Sequence, residues 1–180
     1  MRRIITSIIL IFCIVSLCFI LMYTRLFFIE GTSMEPTLTE HGLTITNSLV
    51  YHLRAPQRGD VIVFRYPYAT KGGTIYNLKR IIGLPNETLS IAGVTVHIKK
   101  DGNENIILSE PYIAIRGENR EGTTTLGADE YFVMSDNRSE KSDSRTWGSL
   151  KKTFIEGPVI FHNNGKFLYS LFNRLNKFRE

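Results

Sequence analysis

The sequence predicts a mainly β protein: a strand-rich domain carried behind one N-terminal membrane-spanning helix. Three observations predict it. Residues 4–22, "IITSIILIFCIVSLCFILM", form the one long apolar run and carry no charge over 19 positions. Beyond them, short β-branched segments recur between Pro, Gly and charged turns. Before residue 166 no helical stripe lasts longer than about two turns.

The apolar run comes first. At about 1.5 Å per residue, a helix of this length approaches the ~30 Å hydrocarbon core of a bilayer. A cleavable leader has a shorter apolar stretch, roughly 7–15 residues, and a small-x-small site behind it. "YTRLFFIEG" follows here and contains no such site. Residues 4–23 are therefore expected to be an uncleaved, single-pass anchor. Arg2 and Arg3 place residues 1–3 in the cytoplasm, although Arg25 beyond the run weakens that bias. The apolar "LFFI" (26–29) is expected to lie along the membrane interface.

Composition excludes several chemistries for the exported part. Both cysteines, Cys13 and Cys18, fall inside the anchor, which leaves no disulfide and no thiol nucleophile outside it. His41, His52, His97 and His162 are scattered without metal-ligand spacing, so no metal is expected. The net charge of +5 is spread along the chain, without the basic stripe of a nucleic-acid binder. It suits either a solvated basic surface or contact with anionic lipid.

The strand signals follow in order. "LTITN" (43–47), "DVIVFRY" (60–66) and "NLKRIIG" (77–83) are β-branched and bounded by turns. Val94, Val96 and Ile98 alternate with polar neighbours, and "KKDGNEN" (99–105) reads as a hairpin turn into "NIILS". "EYFVM" (130–134) and "PVIF" (158–161) complete the set. Residues 86–126 are richer in Gly, Asn, Glu and Lys than their flanks. They are expected to form a smaller subdomain inserted into a β domain of residues 24–85 and 127–180. "KFLYSLFNRLNKFRE" (166–180) has apolar residues at helical spacing, fitting a helix packed on its own domain or lying on a membrane.

Three clusters could carry chemistry. In "GTSMEPT" (31–37), Thr32 and Glu35 have the spacing of a helix capping box, while Ser33 is a candidate nucleophile. A hydroxyl needs a base, and no histidine sits in a motif that announces one. A lysine serves only if desolvation lowers its pKa, because at pH 7 about one free amine in ~2,500 is neutral. "YNLKRIIGLP" offers Lys79: on a strand it shares a face with Ile81, while Arg80 points away and stays in water. The same residues also read as a basic pair on an exposed strand. "SDNRSEKSDSR" (135–145) crowds Asp136, Arg138, Asp143 and Arg145 together and reads locally as a salt-bridged surface loop.

Taken in order, the anchor, "GTSMEPTL", "RGDVIVF", "LKRIIGLPNE" and "SDNRSEKSDSRTWG" resemble the type I signal peptidases, the membrane-bound Ser-Lys endopeptidases of bacteria, in their Gram-positive-type branch. The resemblance implies a signal-peptidase-like antiparallel β catalytic domain on the outer face of the bacterial cytoplasmic membrane. It makes Ser33 the nucleophile and Lys79 the general base, with the Ser33 N–H and Gly31 forming the oxyanion hole. Phe27, Ile29, Met34, Leu38 and Leu78 align with walls of pockets for small side chains. Asp136, Asp143, Ser144 and Arg145 align with structural support for the site. The substrates it implies are exported preproteins cut after small-x-small sites, without metal or organic cofactor. Two readings compete with it: a Ser-Lys peptidase with a narrow client, and a non-catalytic anchored module derived from the peptidase. This chain departs from the pattern at Ser135, where the family usually has Gly, and at Lys141, where it usually has a serine near the lysine amine. The second departure leaves Ser142 or Ser144 as the expected replacement.

Overall fold

The computed structural model describes residues 2–68, 74–93, 95–100, 104–117, 120–164 and 169–170. The apolar run forms helix α1 (Arg2–Met22), and no residue of its Arg3–Met22 stretch is buried against the rest of the chain. By length and composition, with a mean hydropathy of 3.1, this stretch is sufficient to cross a membrane. Its apolar side chains find no core to enter, so they need another apolar medium.

Eleven described strands follow, in two antiparallel sheets. The larger contains β1 (Thr24–Phe28), β2 (Leu43–Asn47), β3 (Val61–Arg65), β4 (Tyr76–Gly83), β9 (Glu130–Met134), β10 (Leu150–Lys151) and β11 (Ile155–Asn163), in the order β1-β2-β11-β3-β4-β9-β10. The smaller is built from β5 (Thr88–Gly93), β6 (Thr95–Lys100), β7 (Glu104–Ile107) and β8 (Arg120–Thr125), in the order β7-β6-β5-β8. The chain leaves the large sheet after β4 and returns to it at β9.

Alternation along β4 determines what each face holds. Lys79 lies opposite Ile62 of β3, and Ile81 opposite Val133 of β9. Ile62, Ile81 and Val133 belong to one apolar cluster, with Phe64, Tyr131 and Leu150. On the opposite face, Ile82 joins Phe132 and Met134 against Leu89, Val96 and Ile98 of the small sheet. A third cluster of Ile29, Met34 and Leu38 packs against Val61 and Leu78. It places the 31–38 segment beside β4, and burying such side chains stabilises by about 1.5–3 kcal/mol each.

Several local expectations are corrected. Residues 32–35 form a turn in which the Glu35 N–H donates to the Thr32 carbonyl (3.1 Å), and no helix starts there. Residues 26–28 of "LFFI" are not a free interfacial segment, because they lie in β1 and pair with β2. The 99–105 turn falls partly on undescribed residues. So does the predicted C-terminal helix, of which only Tyr169 and Ser170 are described.

Candidate active site

The Lys79 Nζ and the Ser33 Oγ lie 2.9 Å apart, within hydrogen-bonding distance. Forty-six positions separate them in the chain, and two different devices bring them together. Lys79 is presented by the middle of β4. Ser33 is held on its turn by Met34, whose side chain is buried, and by its own carbonyl, which accepts from the Asn137 N–H (3.0 Å). The Asn137 Nδ2 also donates to the Thr32 carbonyl (3.4 Å).

Lys79 is 4% exposed. Removal of water from its ammonium by burial lowers its pKa from 10.5 to about 8. Asp143, Glu140 and Asp136 oppose that shift and Arg145 assists it, but desolvation dominates. At pH 7 about one amine in ten is then neutral, against about one in ~2,500 for an unperturbed lysine.

The 135–145 segment is not the surface loop its charges suggest: Ser135 to Arg138, Asp143 and Ser144 are all buried. Asp143 accepts from the Arg145 Nε (2.9 Å) and Nη2 (2.6 Å), from the Arg145 N–H (3.1 Å) and from the Ser135 N–H (2.9 Å). The Arg145 guanidinium also donates to the Arg138 and Glu140 carbonyls (3.0 and 2.5 Å). Arg138 pairs with Glu110, both buried. Buried charges persist only when paired and hydrogen-bonded, and here each has several partners.

Arg80 is a second correction. Instead of standing in water, its side chain is 11% exposed and forms a two-pronged pair with Asp136 (2.8 and 2.6 Å). Its guanidinium also lies 4.0 Å from the centre of the Tyr112 ring. Alternation was read correctly, but the face opposite Lys79 is covered by the segment carrying Glu110 and Tyr112. Lys141 and Ser142 are exposed, and the Ser144 Oγ accepts from the Val133 N–H (3.0 Å). None of the three is hydrogen-bonded to Lys79 among the contacts described.

A cleft of about 120 Å³ opens beside the Ser33–Lys79 contact. Ile29, Met34 and Leu78 line it. Phe27 and Leu38 do not: the Phe27 ring sits against Tyr76 (5.1 Å between centres), and Leu38 lies in the cluster with Met34. Phe28, Tyr76 and Asn77 line the cleft in addition. Period-2 alternation along β1 was the signal that separates Phe27 from Phe28. Gly31 has φ +90°, a conformation that favours glycine, and its N–H donates to the Glu40 carboxylate (3.2 Å). No hydrogen bond from the Ser33 N–H occurs among the described residues. Asn137 is the supporting residue that sequence reading missed. Its position inside the charged cluster was the available sign.

Residues 1–162 match the family described as "Signal peptidase, peptidase S26". The chain is similar to "Probable signal peptidase I-2" of Synechocystis sp., with 33% identity over 132 residues, covering 72% of this chain and 58% of the relative. It is similar to "Signal peptidase I" of Leptolyngbya laminosa, with 34% identity over 137 residues, 74% of this chain and 65% of the relative. It is similar also to "Signal peptidase I P" of Bacillus subtilis subsp. natto, with 33% identity over 144 residues, 74% of this chain and 73% of the relative. The chain thus spans roughly three fifths of the length of the first two relatives. Matched from its apolar helix to its last large-sheet strand, the chain belongs to the signal peptidase family, peptidase S26.

Proposed function

We propose that this chain is a membrane-anchored serine endopeptidase that removes signal peptides from exported preproteins, with Ser33 as nucleophile and Lys79 as general base. The observation that carries the reading is the 2.9 Å contact between Ser33 Oγ and a lysine amine whose pKa has fallen to about 8. When Lys79 is neutral, the hydroxyl donates and the amine accepts. Lys79 takes the proton as Ser33 Oγ attacks the scissile carbonyl. The resulting ammonium protonates the departing amine, which leaves an acyl-enzyme. Neutral Lys79 then activates the water that releases Ser33.

The developing oxyanion is met by the Ser33 N–H and by the Gly31 N–H, which exchanges its solvent-exposed bond to Glu40 for the substrate. The narrow cleft, walled by Ile29, Met34 and Leu78, suits small side chains and disfavours bulky ones. An extended peptide in it satisfies its backbone groups against neighbouring strand edges. Helix α1 holds the site close to a bilayer: ten residues beyond Tyr23, Ser33 is at most ~36 Å of extended chain from the anchor. Enzyme and signal peptide then share one thin layer, which raises their effective concentration.

The test is preprotein cleavage by the detergent-solubilised chain, with the new N-termini sequenced. Cleavage after small-x-small sites is expected. Lys79→Arg retains the charge but cannot act as a base, so turnover should fall by at least about 10³-fold; Ser33→Ala should match it. Sustained turnover by Lys79→Arg rules out Lys79 as the base.

A further inference from the structure

Ser135 follows the last residue of β9 and is completely inaccessible, and its Oγ makes no hydrogen bond among the described residues. Its backbone is fixed on both sides: the N–H donates to Asp143 Oδ2 (2.9 Å), and the carbonyl accepts from Arg138 Nε (2.9 Å). A buried hydroxyl left unsatisfied costs about 1–3 kcal/mol, so its presence here calls for a role.

The strand register says which group it faces. β4 and β9 pair antiparallel, Ile81 with Val133 and Arg80 with Met134. β9 ends at Met134, and carrying its register one residue further sets Ser135 across from Lys79; residues so opposed share a face with Cβ atoms about 4.5–5.5 Å apart. The faces agree: Arg80 and Asp136, on the other parity, meet each other on the opposite side. The route from Lys79 to Ser33 also passes this segment, because the Ser33 carbonyl is bonded to Asn137, two residues beyond Ser135.

We propose that Ser135 is a positioning residue for Lys79, its Oγ accepting a hydrogen bond from the ammonium formed when Ser33 gives up its proton. This inference rests on the reading of Lys79 as the base. When Lys79 is neutral it is directed at Ser33 and Ser135 waits unbonded; when Lys79 is protonated, in the free enzyme at low pH as well as after Ser33 gives up its proton, the ammonium donates to Ser135. Once Ser33 becomes acylated, the ammonium has hydrogens to place in a dry site, and a turn about χ1 of Ser135 offers an acceptor. That bond holds the ammonium in line with the departing amine. Asp143, Glu140, Asp136 and Arg145 are the charged groups around Lys79, and all remain in place when the Ser135 hydroxyl is removed.

The experiment compares Ser135→Ala with the parent full-length chain in detergent, using one synthetic signal-peptide substrate across pH 5.5–10. The high-pH plateau of kcat/KM should fall about tenfold, and the acidic limb should move down by about one pH unit, as expected on losing one hydrogen bond to a charged group. The limb's position is independent of how much enzyme is folded, so it reads the hydroxyl even in a partly inactive preparation. Ser135→Thr, which restores a hydroxyl, should return the limb toward the parent value. A Ser135→Ala profile superimposable on the parent's overturns the inference and leaves Lys79 as base. A parent chain that cleaves nothing removes that reading and this inference with it.

Discussion

At the scale of the residue, the site depends on a lysine placed where lysine is unstable. Burial lowers the Lys79 pKa from 10.5 to about 8, so the folded state binds its proton less tightly than the unfolded chain does. Between pH 8 and 10.5 the unfolded form is protonated and the folded form is not, and stability rises with pH through that window. Below pH 8 both forms are charged, and the full cost of burial is felt. Lys79→Met should therefore raise stability at pH 7, on the order of 3 kcal/mol, and flatten the rise between pH 8 and 10.5; urea titrations at several pH values check both. The same shift places the acidic limb of kcat/KM for the parent chain near pH 8, measurable with a peptide substrate. Sequence made part of this legible. Period-2 alternation places Lys79 with Ile81, but nothing local says that the Arg80 face is covered as well. That cover comes from Glu110 and Tyr112, some thirty positions downstream, and only folding brings them there. Phe27 and Leu38 were misplaced for a related reason: apolar character marks a residue for burial without saying whether it meets a cleft or a core.

At the scale of the element, the 135–145 segment is the part on which the others depend. It caps the short helix α2 (Ser144–Trp147) through Asp143, pairs with Arg80 through Asp136 and pins Ser33 through Asn137. Asp143→Ala removes the acceptor of two Arg145 side-chain bonds, the cap on the Arg145 N–H and the partner of the Ser135 N–H. It leaves a buried guanidinium without its counter-charge, so unfolding free energy should drop by about 3–5 kcal/mol, read from the urea midpoint. Strands with β-branched alternation, such as 43–47 and 130–134, could be read to the residue. β8, "REGTTT", could not, because its polar threonines carry no apolar period; pairing with β5 makes it a strand. β1 was read as interfacial because "LFFI" is apolar on both faces, and its pairing with β2 is visible only in three dimensions.

At the scale of the whole molecule, the β character of the domain and the helix before it were legible because strands and helix differ in hydrophobic period. The order of strands was not, since β2 lies beside β11 and β4 beside β9 across long intervals of sequence. α1 buries nothing against the β domain, so a chain beginning at Tyr23 should retain its β circular-dichroism spectrum and cleave short soluble peptides. It should process bilayer-inserted preproteins at least about tenfold more slowly, which proteoliposome assays measure. The pinning of Ser33 by Asn137 also sets a clock. During synthesis Ser33 leaves the ribosome more than a hundred residues before the segment that fixes it. A nascent or truncated copy therefore lacks the assembled Ser33–Lys79 contact while its own backbone is still slack, and on the proposed function the growing polypeptide is shielded from self-digestion until its fold closes.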